Sequence, residues 1–181
     1  MVKFDLFFFE QHFDKGLCRV KSDTEVVVMY EKEDSYVIQT EPISETDMVC
    51  SMKSFYSDSL TLMTEGKYLK NGETEIGIWK TYNRFGEIIE EIDYEEGWNT
   101  HWEDLLQLMQ KINIDYRNIV NISRYVEESE KDEEQDEESR SAAQGRFWSV
   151  TVISKLGTKY IEYVFDSDKR KKVFEKHQKI S

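Results

Sequence analysis

The feature that most constrains this chain is a spacing of 26 residues between matching aromatic positions near its middle. Tyr56 and Tyr82 are 26 residues apart, and so are Tyr68 and Tyr94. The dipeptide Asn71-Gly72 lies between two strand-like segments of this region, and both of its residues tolerate the positive φ of a tight hairpin turn. An internal repeat of this kind predicts consecutive β-hairpins in which the aromatic side chains of one hairpin cover the next.

A second pattern stands inside the repeat. The core Gly77-Ile78-Trp79-Lys80-Thr81-Tyr82 has the form Gly-x-Trp-x-x-Tyr, and it is followed by a turn glycine at Gly86 and by a closing Tyr-x-x-Gly step from Tyr94 to Gly97. These residues resemble the MORN-repeat variant found in YwqK-type antitoxin proteins, over residues 55–98. The chain departs from that pattern in two ways: it has only about two units, and Ser59 stands where the first unit would carry a turn glycine. The resemblance implies a sheet of antiparallel hairpins and an antitoxin-type function.

The remaining segments predict the rest of the fold. Phe4–Phe9 has the composition of a buried strand, and β-branched runs up to residue 40 predict further short strands. Asn99 or Thr100 is expected to cap an amphipathic helix over residues 100–112. Its apolar stripe has helical spacing and consists of Trp102, Leu105, Leu106 and Met109.

Three later segments, at about 119–126, 147–153 and 159–165, predict a C-terminal three-stranded antiparallel meander. We therefore expect an α+β fold: a MORN-like hairpin sheet in a β-rich region 1–98, followed by one amphipathic helix and the meander in a unit 99–181. The pattern of residues 102–174 resembles the small PepSY-type α+β unit. That resemblance implies an inhibitory or regulatory module.

Charge is distributed unevenly along the chain. The formal net charge is −13, and the run 127–138 holds nine acids and one lysine, a balance of −8, which leaves −5 for the rest. The segment 127–144 is too poor in apolar residues to order itself and is predicted to be a disordered acidic loop. It is either a solubilising linker or a decoy for a basic groove. Overall acidity disfavours nucleic acid as a ligand, and the basic end from Lys155 onward is interpreted as a solvated face.

The sequence carries no motif that indicates catalysis. GxSxG, HExxH, P-loop and GxGxxG motifs are absent, and none of the three histidines has metal-ligand spacing to another histidine or to a cysteine. We therefore expect a protein that is not an enzyme and that needs no cofactor or metal. Cys18 and Cys50 are interpreted as two lone thiols, with a disulfide between them left open. No signal peptide or membrane span is predicted, so a cytoplasmic location is expected.

Acidic residues cluster around the last predicted strand of the repeat. On a strand, alternation would place Glu87, Ile89, Glu91 and Asp93 on one face. Such a stripe is either a solvated face or a surface that meets a basic partner. The candidate partner-binding residues are Tyr82, Glu87, Glu91, Asp93, Tyr94, Glu95, Glu96 and Trp98.

The leading functional hypothesis is an immunity or antitoxin-type protein that neutralises a cognate toxin by occluding its active surface. The acidic stripe is suited to a basic toxin. A non-catalytic MORN-like scaffold that binds another protein or a membrane surface is the alternative. The sequence leaves the oligomeric state open.

Overall fold

The computed structural model describes residues 2–72, 74–127 and 145–180. The chain divides into two compact units, Met1–Glu96 and Gly97–Ser181. Within the described residues it is predominantly antiparallel β-sheet with two short α-helices, α1 and α2. The β-rich character predicted from the sequence is therefore confirmed, whereas the prediction of a single helix is wrong.

The first unit contains a seven-stranded sheet whose strands follow one another in chain order. Every neighbouring pair is antiparallel, so the sheet is a continuous meander of hairpins. Asn71 adopts a φ of +62° in the turn predicted at Asn71-Gly72. The strands are β1 Leu17–Lys21, β2 Glu25–Lys32, β3 Ser35–Pro42, β4 Val49–Tyr56, β5 Leu62–Leu69, β6 Thr74–Tyr82 and β7 Ile88–Asp93.

The predicted N-terminal strand Phe4–Phe9 is instead mostly helical. Helix α1 spans Leu6–His12, and the Asp5 side chain caps it by accepting a hydrogen bond from the Phe8 N–H. Phe9 is buried while Phe7 is exposed, which is the one-sided burial of an amphipathic helix. The prediction was wrong because a short apolar run has no periodicity that separates a buried strand from a buried helix turn.

Aromatic side chains form the core of this unit beside α1. Phe4, Phe9, Cys18, Phe55 and Leu62 are buried together. The Phe4 ring stacks on Tyr36 with centroids 4.6 Å apart and lies 5.5 Å from the ring of Phe55. Burying one such phenylalanine stabilises the fold by roughly 1.5–3 kcal/mol, so this cluster fixes α1 and the strands β1 to β5.

The second unit contains α2, Trp102–Lys111, a short 3₁₀ helix, Tyr116–Asn118, and a four-stranded antiparallel sheet. The sheet is a meander in the order β11-β10-β9-β8, so the predicted three strands are extended by a fourth. The sequence predicts only a last short element starting at Val173 and Phe174 and not a fourth strand, because all nine residues of this strand are exposed and give no alternation of apolar side chains. The strands are β8 Ile119–Glu127, β9 Gly145–Ile153, β10 Lys159–Asp166 and β11 Lys171–Lys179.

Helix α2 confirms the predicted apolar stripe, since Leu105 and Met109 are fully buried. Its N-cap is His101 rather than Asn99 or Thr100. Thr100 is unavailable for capping because its hydroxyl donates to the Ser167 carbonyl over 2.6 Å, and its own carbonyl accepts from the Trp148 indole N–H over 2.9 Å. Apart from Glu127, which ends β8, the predicted acidic loop 127–144 lies outside the described residues.

Candidate protein-binding surface

Strand β7 is the last strand of the seven-stranded sheet, and all six of its residues are exposed. No other described strand pairs with its outer side. We call β7 together with Glu87 the acidic edge. Its backbone and both of its faces meet solvent, which makes it the most accessible regular segment of the unit.

A β-bulge changes which side chains of the acidic edge share a face. Glu90 lies opposite Thr81 and Ile88 lies opposite Tyr82, so Ile89 is the extra residue of the bulge. Strict alternation had placed Ile88 with Glu90 and Ile89 with Glu91. The extra residue reverses this order, so that Ile88 joins Glu91 on the face that also carries Tyr82.

Large apolar side chains are exposed among these acids. Ile88 and Ile89 have 51 % and 62 % of their surface exposed, and Phe85, in the loop before β7, has 80 %. Ile78 and Ile92 are also exposed. These apolar residues lie on both faces of the edge among charged neighbours, and exposed apolar residues bordered by charges occur on surfaces that bind other proteins.

The face of the sheet that carries Phe55 has a row of alternating charges that ends at the acidic edge. In consecutive strands β4 to β7, Lys53 pairs with Glu65, Glu65 with Lys80, and Lys80 with Glu91. The Lys53 and Glu65 charged groups are 3.7 Å apart, and those of Lys80 and Glu91 are 3.4 Å apart. We call these four residues the charge ladder. Such cross-strand pairs are favourable on an exposed sheet face.

Tyr82 connects the charge ladder to the aromatic core. Its hydroxyl donates a hydrogen bond of 2.6 Å to Glu65, and this bond, with burial and the negative charges of Glu65 and Glu91, raises the pKa of Tyr82 to about 12. The ring packs against the cluster around Phe55. Tyr82 therefore anchors the end of β6 and positions Glu65, rather than projecting as a free contact residue.

Trp79 is held rigidly on the opposite face of β6. A Cβ atom built on Gly66 would lie 2.1 Å from the Trp79 ring, so the indole lies directly over the Gly66 backbone. The indole N–H donates to the Lys67 carbonyl over 2.9 Å, and the Tyr94 ring meets it edge-on at 6.2 Å. An open depression of about 310 Å³, including the solvent space at its mouth, lies beside it. The depression is lined by Gln39, Met52, Tyr68, Glu75 and Trp79.

Residues 26 positions apart make direct contacts in successive hairpins. The Tyr56 hydroxyl donates to the Tyr82 carbonyl over 2.8 Å. Asp58 and Arg84 form an ion pair at 3.0 Å, and the Arg84 guanidinium lies 4.6 Å from the centre of the Tyr56 ring. This guanidinium lowers the pKa of the Asp58 carboxyl. The spacing of 26 residues thus corresponds to contacts between the end of β4 and the end of β6.

The structure places the predicted contact residues in different settings. Glu91 and Asp93 lie on the acidic edge opposite Lys80 and Ile78, and Glu87 accepts a hydrogen bond from the Asn83 amide over 2.7 Å. Glu96 is exposed, Tyr94 is half-buried against Trp79, and Glu95 is buried. Trp98 belongs to the second unit, where its ring centre is 5.6 Å from that of Trp148.

Several residues of this surface were missed by the sequence argument. The isoleucines Ile78, Ile88 and Ile92 were not among the candidate contact residues, and the structure exposes all three. Lys53 and Glu65 were not considered because the pairing of their strands is visible only in the register. A lone edge strand with charges among its isoleucines was the signal that could have identified the surface.

The two cysteines are buried free thiols. Burial raises the pKa of Cys18, and burial followed by the charge of Glu41 raises the pKa of Cys50 to about 11. At neutral pH both thiols are protonated and therefore unlike the thiolate of a cysteine nucleophile.

The fold and the acidic edge together define a class: an antiparallel β protein with an exposed, charged sheet edge. Comparisons with protein-family models, curated proteins and solved structures found no match to this chain. Among the described residues, no helix has the length and apolar character needed to cross a membrane.

Proposed function

We propose that this chain is an immunity or antitoxin-type protein that binds a cognate toxin through the acidic edge and occludes the toxin's active surface. The observation that carries the proposal is the exposure of all six residues of β7, in which three isoleucines stand among Glu90, Glu91 and Asp93. A partner with a basic surface and apolar residues would bury the isoleucines and neutralise the acids. Opposite charges would also speed the encounter of the two proteins.

The hairpin meander and the contacts between residues 26 apart support a MORN-like description of the first unit. In this proposal the repeats form a rigid platform, and the acidic edge at its end is the binding surface. The protein would act in the cytoplasm, where it would meet a toxin that is made in, or delivered to, the same cell. It would act by occupying a surface, with no chemistry of its own.

Growth rescue tests the proposal. The gene encoded next to this one is expressed alone and with this chain, and rescue of growth is compared for two variants. Glu90→Lys with Glu91→Lys reverses two charges of the acidic edge. Glu31→Lys with Glu33→Lys reverses two equally exposed acids at the turn between β2 and β3. We expect the first variant to abolish rescue and the second to retain it. Absence of rescue by the well-expressed native chain, or equal rescue by both variants, would remove the proposal.

A MORN-like adaptor that binds another protein or a membrane surface is the second candidate. Its specific support is β11, an exposed strand with four lysines and one glutamate, because anionic lipid headgroups attract clustered lysines. Co-sedimentation with vesicles of phosphatidylcholine, with and without phosphatidylserine, distinguishes the two candidates. The adaptor predicts binding that requires phosphatidylserine and is lost in a variant with Lys171→Glu and Lys176→Glu. The immunity proposal predicts no vesicle binding.

A further inference from the structure

The backbone of β7 has hydrogen-bonding groups that point away from its only described neighbour. The Tyr94 N–H donates to the Gly77 carbonyl over 3.0 Å, which makes Tyr94 and Gly77 a hydrogen-bonded pair. Hydrogen-bonded and non-hydrogen-bonded pairs alternate along an antiparallel ladder. Asp93 and Glu91 therefore direct their N–H and C=O groups outward, in a row that a further strand can bind. The Asp93 carbonyl also accepts a hydrogen bond from the Glu96 N–H over 3.2 Å, which leaves its second lone pair for that strand.

The charge ladder indicates which side chain that strand would carry. Its signs alternate from Lys53 through Glu65 and Lys80 to Glu91, and the row ends at Glu91 on the outermost strand. A residue directly opposite Glu91 would share its face and lie about 5 Å away. Lysine or arginine at this position continues the alternation, whereas an acid there would be repelled.

The neighbouring positions of β7 extend this pattern. Glu90 on the other face and Asp93 on the same face as Glu91 also favour cations opposite them, while the exposed Ile88 and Ile92 favour apolar residues. The matching strand therefore has lysine or arginine at the positions facing the three acids and valine-like residues at the positions facing the isoleucines.

A second copy of β7 does not fit this pattern. Antiparallel pairing sets residues with outward hydrogen-bonding groups against each other, so Glu91 of one copy would lie opposite Glu91 or Asp93 of the other. Parallel pairing in register sets each acid against itself. Like charges directly opposite each other destabilise a sheet, so the charge of the edge disfavours self-association.

We infer that the partner adds an extended, basic strand to the free edge of β7, so that its main chain continues the seven-stranded sheet. Backbone hydrogen bonds supply much of the affinity in this mode, and alternate side chains supply the specificity. This inference rests on the proposed function for the existence of a protein partner. The mode of binding is tested separately from the identity of that partner.

The probe is the fluorescein-labelled peptide acetyl-Thr-Lys-Val-Lys-Lys-Thr-Val-Thr amide, titrated with the full chain and followed by fluorescence anisotropy. In antiparallel register its first and second lysines lie opposite Asp93 and Glu91, and its third lies opposite Glu90. One derivative carries N-methyl groups on the residues opposite Glu91 and Asp93, whose amides point toward β7. The matched derivative carries them on the residues opposite Glu90 and Ile92, whose amides point away.

Strand addition predicts that the inward-methylated peptide binds at least about tenfold more weakly than the unmethylated one, since two hydrogen bonds are lost, while the outward-methylated peptide binds nearly as well. Glu91→Gln is expected to weaken binding about threefold. Glu33→Gln, which removes an exposed acid at the turn between β2 and β3, should leave it unchanged.

Equal binding of both methylated peptides would overturn the inference in favour of simple charge attraction, and absence of binding by the unmethylated peptide would also overturn it. A concentration-dependent dimer that Glu91→Gln strengthens, because the repulsion is relieved, would assign the edge to a second copy and overturn it as well. Growth rescue without peptide binding would leave the proposed function standing and remove only this mode of binding. Peptide binding without growth rescue would support this mode of strand binding and remove the proposed function.

Discussion

Two regions of the seven-stranded sheet carry similar apolar residues in opposite environments. Near α1, the rings of Phe4, Phe9 and Phe55 are buried and stabilise the unit. At the β7 end, Phe85 and Ile89 have most of their surface in solvent. The difference lies in what covers the sheet, because α1 and the aromatic cluster cover one face over β1 to β5, and no described strand pairs with the outer side of β7. The buried apolar residues therefore stabilise the fold, and we propose that the exposed ones near β7 contact a partner.

The largest expected effect is the difference in stability between variants at Phe55 and at Phe85, which tests the comparison of the two regions. Phe55→Ala should lower the free energy of unfolding by about 3–5 kcal/mol, because it leaves a cavity in the aromatic core. Phe85→Ala should change it by less than about 0.5 kcal/mol, because the side chain is exposed. Urea unfolding of both variants measures the contrast. A similar loss in both would show that the β7 end is also part of the core.

The next largest effect concerns the packing of Trp79 in β6 on Gly66 in β5. Gly66→Ala places a methyl group against the Trp79 ring and should cost about 1–3 kcal/mol, the usual range for overpacking. Combining it with Trp79→Ala should remove the clash, so that Gly66→Ala costs much less in the double variant than alone. Equal costs in both backgrounds would contradict the close packing of Trp79 on Gly66.

Particular residues show how far the sequence determines this picture. The strands and turn around Asn71-Gly72 and the stripe of α2 were predictable, because local periodicity and turn chemistry agree there with the tertiary structure. The helix at Leu6–His12 was not predictable, because its helical form depends on the cap at Asp5 and on its packing against the aromatic core. The bulge at Ile89 and the charge ladder depend on strand register, which a single segment does not encode. The candidate acids were therefore found from composition, but the grouping of their side chains was not.

Tyr82 supplies a smaller effect with a definite pH dependence. Tyr82→Phe removes the hydrogen bond to Glu65 and should cost about 1 kcal/mol at neutral pH. The pKa of Tyr82 is raised to about 12 in the folded protein, against about 10 when unfolded. Its contribution is therefore complete below pH 10 and declines as the pH rises from about 10 through 12. Urea unfolding of both proteins should show their difference shrinking over this window. A difference that stays constant would contradict the contact with Glu65.

The smallest effect is in the last pair of the charge ladder. A double-mutant cycle with Lys80→Ala and Glu91→Ala should give a coupling energy of about 0.2–1 kcal/mol, because the pair is largely exposed. The coupling should fall as salt is raised. A larger coupling that resists salt would mean that Glu91 is needed for folding, which would weaken its assignment to binding.

Amide hydrogen exchange tests most directly whether the acidic edge is where the partner binds. The full chain is exchanged alone and in complex with the product of the neighbouring gene, and protection is resolved for individual residues by NMR. We predict rapid exchange of the Glu91 and Asp93 amides in the free protein and strong protection of both in the complex, with little change in β3 and β4. Unchanged exchange of β7 in a complex that protects another surface would contradict the account.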